Sequence, residues 1–292
     1  MKRVNLIYWS GNNFGDELSP QLIHEISGLP VQYKTWDPSP FLRWKSVLSK
    51  ICRFRLGELK SILWPSESSV VGVGSVIRWG NERSLIWGSG FMNEDDPFRG
   101  GQTFAVRGAL TNQKLQKMGF PACHIYGDPA VLLPLWIQPR VAKKHKLGII
   151  PHWKEVDFFI DNYSDKYHII DLRTNDVKSV VEEICMCEHV LSTSLHGLIV
   201  AHAYHIPALW LKKGYIDTDG FKFKDYFSSV NITAYEGFSD YEQLLDIGTW
   251  QQLFHDYSNL SVAQIELENM QKDLLKKAPF PLKDKYKAFI RE

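Results

Sequence analysis

Short apolar runs alternate along the chain with longer stretches in which apolar residues recur at helical spacing. "RVNLIYW" (3–9) predicts a buried strand, and a polar Gly-Asn-Asn loop leads into a helix through "DELSPQLIHEIS". "SSVVGVGSVI" (68–77) and "SLIWGSGF" (84–91) are apolar runs ending in Gly pairs. "TFAVRGALTNQKLQKMG" (103–119) predicts a strand and then a helix closed by Gly119, and "CHIYGDPAVLLP" (123–134) another strand and turn.

The pattern then restarts. "KLGIIPH" (146–152), "YHIIDLR" (167–173), "HVLSTS" (189–194) and "PALWL" (207–211) predict strands. Between them, "VDFFIDNYS", "DVKSVVEEICMCE" and "LHGLIVAHAYHI" predict helices. Such alternation implies βαβ units, parallel sheets and helices on both faces. Two series in one chain predict an α/β fold of two facing Rossmann-like domains. The first is expected over 1–140 and the second over 141–255, with the seam in the Pro- and charge-rich "LPLWIQPRVAKKHK" (133–146). Residues 256–292 are expected to hold a helix, over 260–278, that packs back across both.

Composition adds exclusions. A net charge of +1 over 292 residues gives no reason to expect nucleic acid. Four Cys are too few and scattered for a disulfide scaffold, and Cys185-Met-Cys187 beside His189 lacks a second ligand pair at zinc-like spacing, so packing is expected there. No apolar run is long enough to span a membrane and the N-terminus lacks the features of a signal peptide, which together predict a cytoplasmic protein. Ten Trp, twelve Tyr and sixteen Phe are a high aromatic load; such rings line sugar sites, although core packing is the usual use of any one of them.

In parallel α/β sheets ligands sit beyond the C-terminal strand ends, where helix N-termini attract anions. His196 falls in the first turn of a helix that follows a strand, with Ser192, Thr193, Ser194 and Leu195 before it and Gly197 after it. Arg107, also at a strand end, offers a guanidinium suited to a carboxylate or phosphate, or else a helix-end salt bridge. In "SGNNFGDE" (10–17), Asn13 belongs to a flexible polar loop and Asp16 opens a helix as a cap or as a partner for a hydroxyl. Asp128 reads first as a turn residue; His152 and Gly90 also lie past strand ends. Together these positions predict an anionic substrate held between two domains.

"GNNFGDE", "GSG", "AVRGALT", "GDPAVLLP", "IIPHW" and "STSLHGLIVAHAYHIPALWL" occur in the order and spacing of the polysaccharide pyruvyltransferase family, which the chain resembles over roughly residues 5–227. The resemblance implies a GT-B-like arrangement and transfer of a pyruvyl group from phosphoenolpyruvate to sugar hydroxyls. The product implied is a cyclic pyruvate ketal on a hexose of a bacterial surface polysaccharide or its lipid-linked precursor. It implies His196 as the family's invariant His and Arg107 as its anion-gripping Arg; an imidazole suits the acid the reaction needs, and Ser192, Ser194, Leu195 and Gly197 are expected with Arg107 on the donor side. Asp16 would serve the acceptor. Many members carry Arg two residues before the His, where this chain has Ser194, as exopolysaccharide-type members do; Arg99, Arg173, Lys222 and Lys224 are alternative cations left unranked. Phosphoenolpyruvate is a substrate, so no cofactor and no metal is expected.

"FLRWKSVLSKICRFRLGELK" (41–60) carries six Lys or Arg and one Glu with an apolar stripe at helical spacing, which suits either peripheral contact with an anionic membrane or a surface helix facing the core. Two rival readings of the whole chain are a nucleotide-sugar-dependent glycosyltransferase on the same fold and a non-catalytic glycan-binding protein.

Overall fold

The structure, a computed structural model, describes residues 1–9, 11, 13–34, 48 and 68–291. Its first sheet holds β1 (Val4–Ile7), β2 (Val31–Tyr33), β3 (Ser69–Val71), β4 (Ser84–Trp87) and β5 (Gln102–Ala105) in the order β2-β1-β3-β4-β5, every pair parallel. All four residues of β1 are buried, as expected of a parallel strand covered on both faces. Helix α1 (Phe14–Ser27) buries Phe14, Leu18, Leu22 and Ile26, one per turn along a single stripe. It stops at Gly28, whose φ of 70° is left-handed and whose N–H returns to the His24 carbonyl at 2.8 Å. Helix α2 (Ala109–Lys117) follows β5.

The second sheet holds β6 (His145–Ile150), β7 (His168–Ile169), β8 (Cys187–Ser192) and β9 (Ala208–Trp210) in the order β7-β6-β8-β9, again all parallel. Helices α3 (Val156–Tyr163), α4 (Val177–Cys185) and α5 (Leu195–Ala203) connect the strands. Asp176 caps α4 by accepting from the Ser179 N–H at 3.0 Å. Helix α5 is different in kind: every residue but His196 is buried. Its sequence therefore shows no polar face, because it lies inside the molecule between β8, β9 and the turn Pro129–Leu135. The one polar side chain deep in its last turn, His202, is satisfied by Tyr226 Oη at 3.0 Å and the Ala208 carbonyl at 3.2 Å.

Helices α6 (Phe221–Ser229), α7 (Trp250–Asp256), α8 (Leu267–Lys276) and α9 (Asp284–Arg291) complete the chain. The C-terminal pair returns to the first sheet. Trp87 Nε1 donates to the Leu274 carbonyl at 2.9 Å, and Lys283 and Lys285 meet Glu25 of α1 at 3.1 and 2.7 Å. The helix predicted over 260–278 is present in shorter form as α8, and α9 follows it as a separate element because Pro279 and Pro281 interrupt the segment.

Both sheets of the predicted α/β fold are thus present as two Rossmann-like halves. Two strands are shorter than predicted. "YHIIDLR" contributes only His168–Ile169 before Asp171 turns back to bind Arg173, and "CHIYG" makes a single parallel bridge, Val106 to Tyr126. The basic segment 41–60 lies outside the described residues apart from Leu48. Among the described residues no helix is long and apolar enough to cross a membrane.

Candidate active site

β8 ends at Ser192, and Ser194 occupies the position before α5 in an extended conformation. The first turn of α5 then aims His196 across to the other half. A Cβ at Gly15 of α1 would overlap the imidazole, and one at Gly74 would lie 3.7 Å from Cε1. Gly15 is needed there because the ring occupies the space of a side chain. His196 Nε2 is buried and has no hydrogen-bond partner. Burial, followed by the charges of Lys222 and Arg107, lowers its pKa to about 3, so the ring is neutral.

Asp16 sits one residue further along α1, partly buried. Asn13 stands before the helix without capping it, and its amide instead donates to Asp16 Oδ2 at 2.5 Å. Burial, with help from Glu17, raises the carboxyl to about 7 against the lowering effects of Asn13 and Lys222. Asp16 is thus raised and His196 lowered, and the two are carried by adjoining pieces of the site through Gly15, which packs against the His196 ring.

Among the four alternative cations the structure separates one from the rest. Arg173 is held by Asp171 and Asp157, each at 2.8 Å; Lys224 pairs with Glu236 at 2.5 Å; Arg99 is also engaged. Lys222, in the first turn of α6, is buried, and its ammonium has no hydrogen-bond or ion-pair partner among the described residues. Its surroundings are Arg107, Asp217, Asp16 and Glu155; burial and then Arg107 lower its pKa to about 8. It also bears on both His196 and His152.

Arg107 departs from expectation. Its guanidinium is fully buried and bonded to Asp225 Oδ2 at 2.9 Å, Ser75 Oγ at 2.6 Å and the Phe91 carbonyl at 2.6 Å. The alternative noted from its helix-end position, a salt bridge, is the one present, and Arg107 stands behind the site rather than gripping an anion within it. Asp225 also accepts from Thr111 N–H and Oγ1, both at 2.7 Å. A Cβ at Gly90 would overlap both Arg107 and Asp225, which explains that glycine as a close-packing position.

Other expected donor-side groups are likewise internal. Ser192 Oγ lies 2.8 Å from the Ile150 carbonyl at the end of β6 and 2.8 Å from the Ser194 carbonyl of its own turn, its one proton shared between them. Gly197 allows α5 to touch Ser192 and Ile150, and Leu195 is buried in the core. Ser194 makes no capping bond. Asp128 is a turn residue, accepting from Ala130 N–H at 3.0 Å and from Gly74 N–H at 3.3 Å, so it holds the loop that faces His196. His152 is at the site edge, its backbone N–H donating to Thr193 Oγ1 at 2.7 Å; burial and then Lys222 lower its ring to about 3. Glu155 is a further group that no local motif marks. It is buried beside Thr193 with Oε2 unpartnered.

Fold and site together define a two-halved Rossmann-like α/β protein whose parallel sheets bring an imidazole, a carboxyl and an unpaired ammonium to one seam. A family model described as polysaccharide pyruvyl transferase matches residues 13–212, a span that includes Asp16 and His196. The chain belongs to that family, whose members are transferases of polysaccharide biosynthesis. It is 26% identical over 215 residues to an uncharacterized protein of Acanthamoeba polyphaga mimivirus, covering 70% of this chain and 75% of the relative. It is 28% identical over 182 residues to the succinoglycan biosynthesis protein ExoV of Rhizobium meliloti (strain 1021), covering 57% of this chain and 55% of ExoV. No solved structure matches the chain.

Proposed function

We propose that the protein transfers the pyruvyl group of phosphoenolpyruvate to two hydroxyls of one hexose in a surface polysaccharide or its lipid-linked precursor. The observation that carries this reading is the buried, unpartnered His196 Nε2 beside the unpaired ammonium of Lys222. Phosphoenolpyruvate brings a carboxylate and a phosphate, the charges that Lys222 lacks. Their arrival also favours imidazolium, so the acid forms when the donor is bound.

His196 then gives its proton to C3 of the donor, the C2–C3 double bond becomes single, and an acceptor hydroxyl adds to C2. Asp16, nearer to neutrality than an ordinary carboxyl, takes the hydroxyl proton. A second hydroxyl of the same sugar forms the second C2–O bond, and its proton leaves with the phosphate, which departs as the C2–O bond to it breaks. Lys222 neutralises the departing charge. The nucleotide-sugar glycosyltransferase reading has no support in the family assignment.

Phosphate release from phosphoenolpyruvate, measured with a panel of hexose oligosaccharides, tests the proposal. Release is expected only with an acceptor, and His196→Gln is expected to lower kcat by about 10²–10⁴-fold. Turnover of nucleotide sugars without any release from phosphoenolpyruvate would overturn it.

A further inference from the structure

Two indole rings meet beside this site, one from each half. Trp9 follows β1 and Trp153 follows β6; their centroids are 5.8 Å apart with planes tilted by 38°. Both are exposed, at 40% and 37%, in a protein that buries Trp87 and Trp210 almost completely. Each ring is connected, through the residues between, to one of the two groups proposed to move protons. A Cβ at Gly11 would overlap the six-membered ring of Trp9, so Gly11 lies directly against the indole. The Gly11 carbonyl accepts from Asn13 N–H at 2.8 Å, and the Asn13 amide holds Asp16 at 2.5 Å. On the other side Trp153 lies 5.8 Å from the ring of His152, which is tied to Thr193, three residues before His196. Lys154 fixes Trp153 further: its ammonium lies 5.4 Å from the ring centroid and pairs with Asp217.

We propose that Trp9 and Trp153 form the floor on which a pyranose ring of the acceptor lies, its C–H face on the indoles and its hydroxyls turned towards Asp16. The inference rests on the reading of the acceptor as a sugar. A pyranose has an apolar face and a rim of hydroxyls, and this corner offers aromatic surface beside a carboxyl. An anionic donor is drawn instead to Lys222. At 5.8 Å between centroids the rings are too close to admit a sugar between them, so the sugar meets their exposed faces. Because each indole comes from a different half, the floor is assembled by the same approach that brings His196 to Gly15. It therefore sets the distance from a bound hexose to both proton-transfer groups at once.

Calorimetric titration with neutral oligosaccharides (cellotetraose, β-1,4-galactotetraose and mannotetraose) tests the floor without donor present. At least one is expected to bind the wild-type protein. Trp9→Ala and Trp153→Ala are each expected to weaken it by about tenfold or more, and the two Trp→Phe variants to retain part of the affinity. The thermal shift produced by phosphoenolpyruvate is expected to stay unchanged in all four. Should an Ala variant fail to fold, a partial loss of affinity in its Phe counterpart supports the floor equally. Binding of none of the three sugars, or undiminished binding in the variants, would overturn the inference. A wild-type protein that binds a sugar but shows no shift with phosphoenolpyruvate would instead fault the donor assignment and leave the floor standing.

Discussion

His196, Asp16 and Lys222 are each shifted towards the uncharged form: the imidazole towards neutral, the carboxyl towards acid, the ammonium towards amine. Burial is the largest cause for all three, and it leaves each group responsive to a charge brought by a ligand. Lys222 gives the clearest readout. With a pKa lowered to about 8, it loses its charge as pH rises through that value, so KM for phosphoenolpyruvate should climb above pH 8. Lys222→Arg should flatten that rise, and Lys222→Met should raise KM about 10–100-fold below it, as loss of a charged hydrogen bond does. A KM profile in Lys222→Met that follows the wild type would count against the assignment. His196 and Asp16 are legible in the sequence, since a strand end followed by a helix start is a local pattern. Lys222 is not separable there from Arg173 or Lys224. What distinguishes it is that, among the described residues, no carboxylate forms an ion pair with it as Asp171 and Glu236 do with those two, and such pairings are fixed by the fold and not by neighbouring residues.

At the scale of elements, α6 does most to build the site, and no apolar periodicity announces it. Lys222 and Asp225 are one turn apart on it, so the bond from Arg107 to Asp225 sets where the ammonium of Lys222 stands. Arg107 is thus a positioning residue. The sequence shows a guanidinium at a strand end, but its carboxylate is 118 residues away and no spacing rule connects them. Asp225→Ala leaves a buried guanidinium unpaired and should cost about 3–5 kcal/mol of stability by chemical denaturation. Asp225→Asn should cost less, and in both variants the protein that remains folded should show a raised KM for donor. Helix α5 escapes periodicity for the opposite reason: enclosed on all sides, it needs no polar stripe, and its sequence alone would suit a buried strand as well.

Across the whole molecule, packing two sheets' strand ends together encloses several ionisable groups. His152 and His196 are lowered to about 3 and His202 to about 4, in each case chiefly by burial. A histidine held neutral in the folded state stabilises above its ordinary value of 6.5 and loses that contribution as pH falls towards its folded value. Asp16 and Asp128, raised to about 7 and about 6, act in the other direction and lose stability as pH rises through those values. The His196→Gln variant should therefore gain on the wild type in urea midpoint as pH is lowered from 6.5 towards 3, and Asp16→Asn should gain as pH is raised from 3.8 to about 7 and hold steady above that. Constant differences across pH would show that neither group titrates as its surroundings imply. The two-sheet plan is visible in the alternation of apolar runs, whereas the way the sheets enclose these groups depends on packing across the seam.

The ion pair of Arg107 with Asp225 has a mechanical corollary. Helix α6 carries Asp225 on one side and, on the other, Phe223, which stacks on Trp210 of the second sheet at 4.1 Å. Swinging the halves apart must break one of these attachments. If the ion pair yields, the bonds from Thr111 to Asp225 are given up with it, so the closed arrangement is the favoured one. The two halves are thus pinned to each other through one helix, which favours a frame of constant width over a jaw that opens and shuts.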